Sequence, residues 1–365
     1  MSVESENTTA KSNAQRSLSD SDSKYQQSFL ARVERNQIFI SRSLLLGLYL
    51  VHNFIPMVLP YTSKFIHLQY KIGTDFNGNP LYDIGIHDAY YVLYWVIMLT
   101  FLRSFLMQSI FGPFAMHACN IRSRKAKVRF AEQSWSFVYY TFSFIFGVYL
   151  YCKSDYFLNF DRIYIGWPHF EMSALFKMYY LISMAFWIQQ IFVLNVENKR
   201  KDHYQMFSHH IITCLLIVGS YYYYYNRIGH LILMIMDSVD IFLAAAKMLN
   251  YANYRRLCDS MFVLFLVSWI VLRHGLYNYL LYHTWSKSEI LMGDMKCVPG
   301  KVQKRCWTQA IINSFLFLLG GLQVITLVWM YLILKVAYKV VTGKGAEDVR
   351  SDDDDTDIED SKDDK

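Results

Sequence analysis

Two adjacent histidines and two aspartates are the residues of this sequence whose types and spacing could do chemistry. His209 and His210 stand at the start of one apolar segment, and Asp237 and Asp240 lie within the next. A histidine paired with a carboxylate is the usual arrangement for general-base or nucleophilic acyl transfer, because the carboxylate fixes the imidazole tautomer and stabilises the imidazolium that forms. These four residues are therefore the candidate catalytic group.

The second segment, RIGHLILMIMDSVDIFLAAAKMLNY at 227–251, is apolar apart from a polar stripe. An aspartate at the middle of a bilayer costs roughly 2.5 to 3.5 kcal/mol on an insertion scale, whereas a leucine returns only about 0.5 kcal/mol. The aspartates must therefore face a partner or a water-filled cavity. At 100° per residue, about 100° of helix circumference holds His230, Asp237, Asp240, Ala244 and Lys247.

Two helices are needed to bring the histidines and aspartates together. A short turn after the tyrosine run 221–225 predicts that the helices pack antiparallel, with His209 and His210 within reach of Asp237 or Asp240. The alternative is a buried histidine–aspartate hydrogen bond that only ties two helices together. The tyrosine run itself is most simply an interfacial aromatic belt.

The composition indicates an all-α, multi-pass membrane protein. Of the 365 residues, 54% are hydrophobic and 17% are aromatic, which is too apolar for an ordinary soluble domain. About 20 apolar residues are needed to cross a bilayer, and eight such stretches are found, near 38–60, 89–111, 136–152, 174–195, 208–225, 228–248, 260–283 and 310–338. The sequence contains no CxxC, GxGxxG, Walker lysine or HExxH motif, so we expect no metal and no nucleotide-dependent chemistry.

The two ends of the chain are polar. Residues 1–36 are predicted to be a disordered cytosolic tail without a cleavable signal peptide. Residues 343–365 are predicted to be an acidic, disordered cytosolic tail. Ser351, which precedes four aspartates, is a candidate phosphorylation site; the alternative is a solvated tail with no regulatory role.

Basic loops set the predicted orientation. The loops at 122–130, 198–202 and 254–257 fall on one side together with both tails, and the positive-inside rule makes that side cytosolic. The loop at 286–305 does not fit the positive-inside rule, since it is basic but lies on the opposite side of the membrane. There, Cys297 and Cys306 could form a disulfide in an oxidising lumen or remain two free thiols.

The segment HHIITCLLIVGSYYYYYNRIGHLILMIMDSVDIFLAAAKMLNY, with the preceding LISMAFWIQQIFVLNVENKRKDHYQMFSHH, closely resembles the signature of the ceramide synthases. These are sphingoid-base N-acyltransferases with a TLC domain. The paired histidines, the R-x-G, the D-x-x-D and the A-K-M-x-N-Y ending stand at the family's spacing, and the resemblance spans roughly residues 120–340. The absence of a homeobox-like insert and the extra first helix look fungal.

The resemblance implies a domain organisation and an activity. Residues 37–119 would hold two transmembrane helices and a lumenal loop, and residues 120–342 a TLC domain whose six helices form a barrel around a tunnel. The enzyme would reside in the endoplasmic reticulum membrane and transfer a fatty acyl group from acyl-CoA to dihydrosphingosine or phytosphingosine. It would need no cofactor beyond acyl-CoA as co-substrate.

Two mechanisms fit this expectation. Either His209 attacks the thioester and forms an acyl-imidazole, or a histidine acts only as general base for direct attack by the amine. The resemblance favours the first, with Asp240 as the orienting carboxylate and His210 and Asp237 assisting. Arg273 is assigned to the CoA phosphates or the oxyanion; its alternatives are snorkelling to an interface or pairing with an aspartate.

Three further residues, His230, Lys247 and Asn250, are assigned with Arg273 to substrate binding, although no role for Lys247 or Asn250 follows from the residues alone. The expected partners are membrane lipid, a small accessory membrane subunit and a second copy or a paralogue as dimer partner, but no nucleic acid. The alternative functions are a non-catalytic TLC-fold protein that binds lipid or assists translocation, and a transporter. A transporter is disfavoured because the sequence shows neither two related halves nor helices broken by Gly or Pro at matching places in them.

Overall fold

The computed structural model describes residues 32–196 and 202–342 of the chain. In these residues the helices are α1 (Gln37–Phe54), α2 (Leu59–Ile66), α3 (Asp88–Leu106), α4 (Gly112–His117), α5 (Arg124–Cys152), α6 (Ala174–Val196), α7 (His203–Tyr222), α8 (Asn226–Tyr251), α9 (Arg255–Ser268), α10 (Tyr277–Met292) and α11 (Gln309–Val341). π-Helical segments join α3 to α4 at Met107–Phe111 and α9 to α10 at Trp269–Leu276. The predicted class, an all-α multi-pass membrane protein, is confirmed.

The predicted number of eight spans is not confirmed. Six stretches of the described residues are long and apolar enough to cross a membrane: Asp88–His117, Arg124–Cys152, Ala174–Val196, Asn226–Tyr251, Arg255–Met292 and Gln309–Tyr338. The predicted stretch 208–225 does form a helix, α7, but its histidines and tyrosines lower its mean hydropathy, and α7 is not among the six.

The first predicted stretch, 38–60, is broken rather than continuous. Helix α1 ends at Phe54, and the helical segment that begins at Pro56 is bent from it by 106°. Proline has no N–H to continue the hydrogen-bond ladder and disfavours a helical residue before it, so Ile55 adopts a non-helical conformation. If this bent pair is counted as one span, the number of candidate spans rises from six to seven.

Six helical segments of the predicted TLC domain contact one another in a closed circuit. Here α9, the π-helical segment Trp269–Leu276 and α10 count as one segment, because they form one continuous stretch, Arg255–Met292. Helix α5 packs on α8, α8 on the α9 end of this stretch, its α10 end on α11, α11 on α7, α7 on α6, and α6 on α5. Helices α7 and α8 also contact each other and are joined by a turn in which Tyr224 has a positive φ of 61°. The short connection therefore places α8 beside α7, as the sequence predicts.

A small antiparallel sheet joins the segment before α3 to the segment before α6. Its strands are β1 (Lys71–Thr74), β2 (Pro80–Tyr82) and β3 (Met172–Ser173), in that order. Leu81 pairs with Ser173 and Tyr82 with Met172. The sheet thus connects the first helices to the six-helix part of the chain.

A buried ion pair strengthens the same connection. Lys177, at the start of α6, has no exposed surface and lies 2.8 Å from a carboxylate oxygen of Asp88. Its Nζ also donates to the backbone oxygens of Gln69 and Asp83, at 2.8 and 2.6 Å. Tyr221 at the end of α7 donates to Asp88 at 2.8 Å.

Asp83 extends this cluster to the loop before α11. Its carboxylate accepts hydrogen bonds from Tyr224 at 2.6 Å and from Lys304 at 2.8 Å. Partial burial raises the pKa of Asp83, but these hydrogen bonds outweigh it and hold the pKa below its ordinary value. We call this cluster the Lys177 network; its members are Asp83, Asp88, Lys177, Tyr221, Tyr224 and Lys304.

Candidate active site

A long cavity runs between helices α6, α7, α8, α10 and α11. Along α8 its wall extends from Tyr225 to Asp240, fifteen residues apart, which at 1.5 Å per residue is about 22 Å. The space not occupied by atoms totals about 900 Å³, including the opening. A cavity of this shape matches an extended hydrocarbon chain better than a compact polar ligand.

The two ends of the cavity differ from its middle. The middle is apolar, with walls formed by side chains such as Leu216, Ile232, Leu233, Leu319 and Leu322. We call one end the histidine end, defined by His209, Asp240 and Arg273. We call the other the disulfide end, because its lining residues Ser288 and Ile312 flank the loop that contains Cys297 and Cys306.

His209 faces the cavity, whereas His210 does not line it. The His209 ring packs edge-on against Trp187 and Trp329, with centroids 5.4 and 5.0 Å away. His210 is buried against Trp187 at 5.5 Å. This division agrees with the roughly 100° between neighbouring side chains on a helix, and it makes His209 the histidine that a ligand in the cavity can reach.

Neither histidine has its Nδ1 atom satisfied. Within the part of the chain that the structure describes, Nδ1 of His209 and Nδ1 of His210 are buried without a hydrogen-bond partner. The predicted hydrogen bond between these histidines and Asp237 or Asp240 is therefore not formed at Nδ1. Each aspartate has another partner instead.

Asp240 is paired with Arg273. Its carboxylate lies 2.8 Å from Nη2 of Arg273, which also donates to the backbone oxygen of Met236 at 3.1 Å. The Arg273 guanidinium stacks over Trp269 at 4.3 Å and is 4% exposed. This is the aspartate pairing that the sequence left as an alternative for Arg273, and it neutralises two charges that would be costly in isolation.

Asp237 is held by a different helix. Ser143 of α5 donates a hydrogen bond of 2.6 Å to its carboxylate, and Asp237 is 2% exposed and does not line the cavity. The predicted polar stripe of α8 therefore divides between two environments. Asp240 faces the cavity, and Asp237 faces α5.

The remaining predicted binding residues of α8 lie outside the cavity. Tyr156 lies 2.7 Å from Nδ1 of His230, and Nε2 lies 3.1 Å from the backbone oxygen of Gly147. His230 is fully buried, and its two ring nitrogens are engaged with the protein. Lys247 and Asn250 do not line the cavity either. The structure thus places none of these three residues on the wall of the cavity, and their assignment to substrate binding stays a prediction.

Other predicted features have mixed outcomes. Cys297 and Cys306 form a disulfide, which is the first of the two alternatives left by the sequence. Ser351 lies outside the described residues. The tyrosine run is more than a belt, because Tyr221 and Tyr224 join the Lys177 network and Tyr225 lines the cavity.

The sequence reasoning missed two residues that the structure makes prominent. Thr213 lines the cavity one helical turn after His209, and Lys177 is completely buried. The signal for Thr213 was its spacing of four residues from His209, which places both on one helix face. The signal for Lys177 was a charged residue inside an apolar stretch, which predicts a buried partner.

The comparisons with known proteins agree with this geometry. A TLC domain model matches residues 129–335, more than half of the chain. The protein is thus a TLC-domain membrane protein.

Curated relatives narrow the class. The chain is 39% identical over 305 residues to sphingosine N-acyltransferase lag1 of Schizosaccharomyces pombe, covering 83% of this chain and 76% of the relative. It is 36% identical to ceramide synthase FUM18 of Gibberella moniliformis, covering 83% and 75%. It is 32% identical to ceramide synthase LAG1 of Saccharomyces cerevisiae, covering 79% and 70%. The chain belongs to the fungal ceramide synthases, a family of acyltransferases.

Proposed function

We propose that this protein is a ceramide synthase that transfers a fatty acyl group from acyl-CoA to the amine of a sphingoid base through His209. The observation that carries the proposal is the position of His209 on the wall of a long apolar cavity, with a buried nitrogen that no described residue satisfies. A purely lipid-binding protein has no need for an unpaired imidazole there, because burying it unpaired is unfavourable.

The reaction proceeds in two balanced steps. The unprotonated nitrogen of His209 attacks the carbonyl carbon of the thioester, the carbon–sulfur bond breaks, and CoA leaves as a thiolate. The acyl-imidazolium gives its N–H proton to this thiolate, which leaves a neutral acyl-imidazole and free CoA. The sphingoid-base ammonium first gives one proton to water and becomes a free amine. The amine then attacks the acyl-imidazole, the bond between carbonyl carbon and imidazole nitrogen breaks, and the second proton passes from the amine nitrogen to the departing imidazole as the amide forms. His209 is regenerated, and ceramide and CoA are the products.

The Asp240–Arg273 pair brings both signs of charge to the histidine end. The guanidinium suits the anionic CoA, and the carboxylate suits an amine that arrives protonated. We therefore assign both residues to substrate orientation at this end. His210 and Asp237, which do not line the cavity, stay predictions as assisting groups.

Cellular placement and partners belong to the same proposal. We propose the endoplasmic reticulum membrane, with both termini cytosolic, on the basis of the family and of the basic loops. This orientation puts the histidine end toward the cytosol, where acyl-CoA is available. A small accessory subunit, and a second copy or a paralogue as dimer partner, stay predictions.

Intact-mass analysis of the purified protein mixed with a long-chain acyl-CoA alone tests the His209 route. We expect an added acyl mass in the wild type and none in His209→Ala. His203→Ala is the matched control, because His203 lies on the same helix but does not line the cavity; it should keep the adduct.

Two other outcomes would change the proposal. Ceramide formation without any acyl adduct would replace nucleophilic attack by direct amine attack with histidine as general base. Neither adduct nor ceramide, with an accessory subunit supplied, would favour the non-catalytic lipid-binding alternative.

A further inference from the structure

Thr213 is a buried hydroxyl beside the proposed nucleophile with nothing to bond to. It follows His209 by one turn of α7, and both side chains line the cavity. Thr213 is 8% exposed, and across residues 32–196 and 202–342 its Oγ1 atom has no hydrogen-bond partner. The hydroxyl therefore stands on the same helix face as His209 as an unused donor.

Other hydroxyls along the same cavity are satisfied by the backbone. Thr326 donates to the backbone oxygen of Gln323 at 2.8 Å, and Thr284 donates to that of Leu280 at 2.7 Å. A helical threonine ordinarily bonds back to the preceding turn in this way. Thr213 does not, and neither does Ser288 at the disulfide end. Thr213 is thus the unsatisfied hydroxyl of the histidine end.

Its position along the cavity identifies the group that it would meet. The next turn of α7 carries Leu216 and Ile217, which belong to the apolar wall. An acyl chain that reacts at His209 and extends along this wall places its carbonyl group between His209 and Leu216. Thr213 is the polar side chain of α7 at that level.

We propose that Thr213 donates a hydrogen bond to the acyl carbonyl oxygen as that oxygen becomes negative. This inference rests on the proposed acyl transfer and adds a residue to it. The carbonyl oxygen acquires charge when the nucleophile attacks, and a donor already aimed at it stabilises the transition state more than the ground state. Nη2 of Arg273 is already engaged by Asp240 and by the backbone oxygen of Met236. Nε of Arg273 is also buried without a partner in the described residues, but Thr213 is the donor that lies one helical turn from His209 on the same helix.

Three variants test the inference by steady-state kinetics and by the rate of acyl-enzyme formation. Thr213→Val removes the hydroxyl at similar volume and should lower kcat about 100-fold, the cost of losing one oxyanion donor, with little change in KM for acyl-CoA. Thr213→Ser keeps the hydroxyl and should retain most activity. Thr326→Val removes a hydroxyl that lines the same cavity but is already bonded, and kcat should change little.

The thermal unfolding temperature distinguishes a role of Thr213 in the reaction from a role in holding the fold together. Because the Thr213 hydroxyl is unsatisfied, Thr213→Val should leave the thermal unfolding temperature unchanged or raise it. A fall in activity that follows a fall in unfolding temperature would overturn the inference. So would an equal loss of activity in Thr326→Val.

The remaining outcomes are equally decisive. Normal acylation in Thr213→Val with a raised KM for the sphingoid base would overturn the inference and assign Thr213 to a hydroxyl of the base. If wild-type protein makes ceramide without an acyl-enzyme, the His209 nucleophile fails, but direct amine attack also produces an oxyanion. In that case a 100-fold loss of kcat in Thr213→Val still supports the inference, and an unchanged kcat overturns it.

Discussion

Buried polar groups have hydrogen-bond partners in the Lys177 network but lack them at the histidine end of the cavity. In the network, Lys177 has a carboxylate and two backbone oxygens within 2.8 Å. At the histidine end, Nδ1 of His209 and Oγ1 of Thr213 are buried without a described partner. Satisfied polar groups hold helices together, and unsatisfied ones that face a cavity are available to a ligand. Mutations at the histidine end should therefore lower activity more than stability, and mutations in the Lys177 network should mainly lower stability.

The largest effect is expected at the histidine end. His209→Ala should lower ceramide formation by at least about 10⁴-fold, as the loss of a nucleophile does. The unfolding temperature should fall only modestly, because the variant loses the packing of the ring against Trp187 and Trp329 but no hydrogen bond of Nδ1. Activity and thermal unfolding measured on the same preparation check both parts, and a large drop in unfolding temperature would contradict the comparison.

The next largest effect is expected in the network. Lys177→Met leaves the buried carboxylate of Asp88 without its counter-ion and should destabilise the fold by about 3–5 kcal/mol. Denaturant unfolding in detergent measures it. The double variant Lys177→Met with Asp88→Asn should recover most of the loss, since no lone charge is buried; equal losses in the single and double variants would rule out a specific ion pair.

A smaller effect is expected from the disulfide. Cys297 and Cys306 close a loop of nine residues' separation. Replacing both by serine should cost about 2–3 kcal/mol through the entropy of the unfolded chain. Cys152→Ser is the control, because Cys152 is a free, exposed cysteine. An unfolding temperature equal to that of the control would show that the loop unfolds separately from the helices.

The smallest effect is expected at Lys304, the exposed lysine of the Lys177 network. Lys304 is 66% exposed where it meets Asp83, so Lys304→Ala should cost less than about 1 kcal/mol. The pKa of Asp83 lies below its ordinary value, so the pair's contribution is complete above that value and lost as the pH falls through the lowered pKa. The cost should therefore be constant over about pH 5 to 8; a loss of the effect within that range would contradict the assignment.

The sequence predicted the features that depend on local pattern. Apolar runs located the helices, and the spacing of His209 from the tyrosine turn placed it near Asp240 at one end of a helix pair. Pro56 was visible in the sequence, yet its effect on the first stretch was missed. The break follows from local proline chemistry and could have been predicted.

The sequence could not predict which residue pairs with which. Asp240 has Arg273 as partner rather than a histidine, and Asp237 has Ser143, 94 residues away. His230 carries the same polar signature as Asp240 but bonds to Tyr156 and Gly147. These choices depend on how α8 packs against α5 and against the segment that carries Arg273, and helical periodicity gives only the face of each residue.

The Lys177 network also bears on how the chain is made. Synthesis runs from the N-terminus, so Asp88 exists before Lys177, and Tyr221, Tyr224 and Lys304 follow in turn. The carboxylate made first has no counter-ion until α6 emerges, and Asp83 acquires its lysine only just before α11. A nascent chain interrupted before that point carries an incomplete set of these polar contacts. The network thereby links the stability of the first helices to synthesis of the chain as far as Lys304, in the loop before α11.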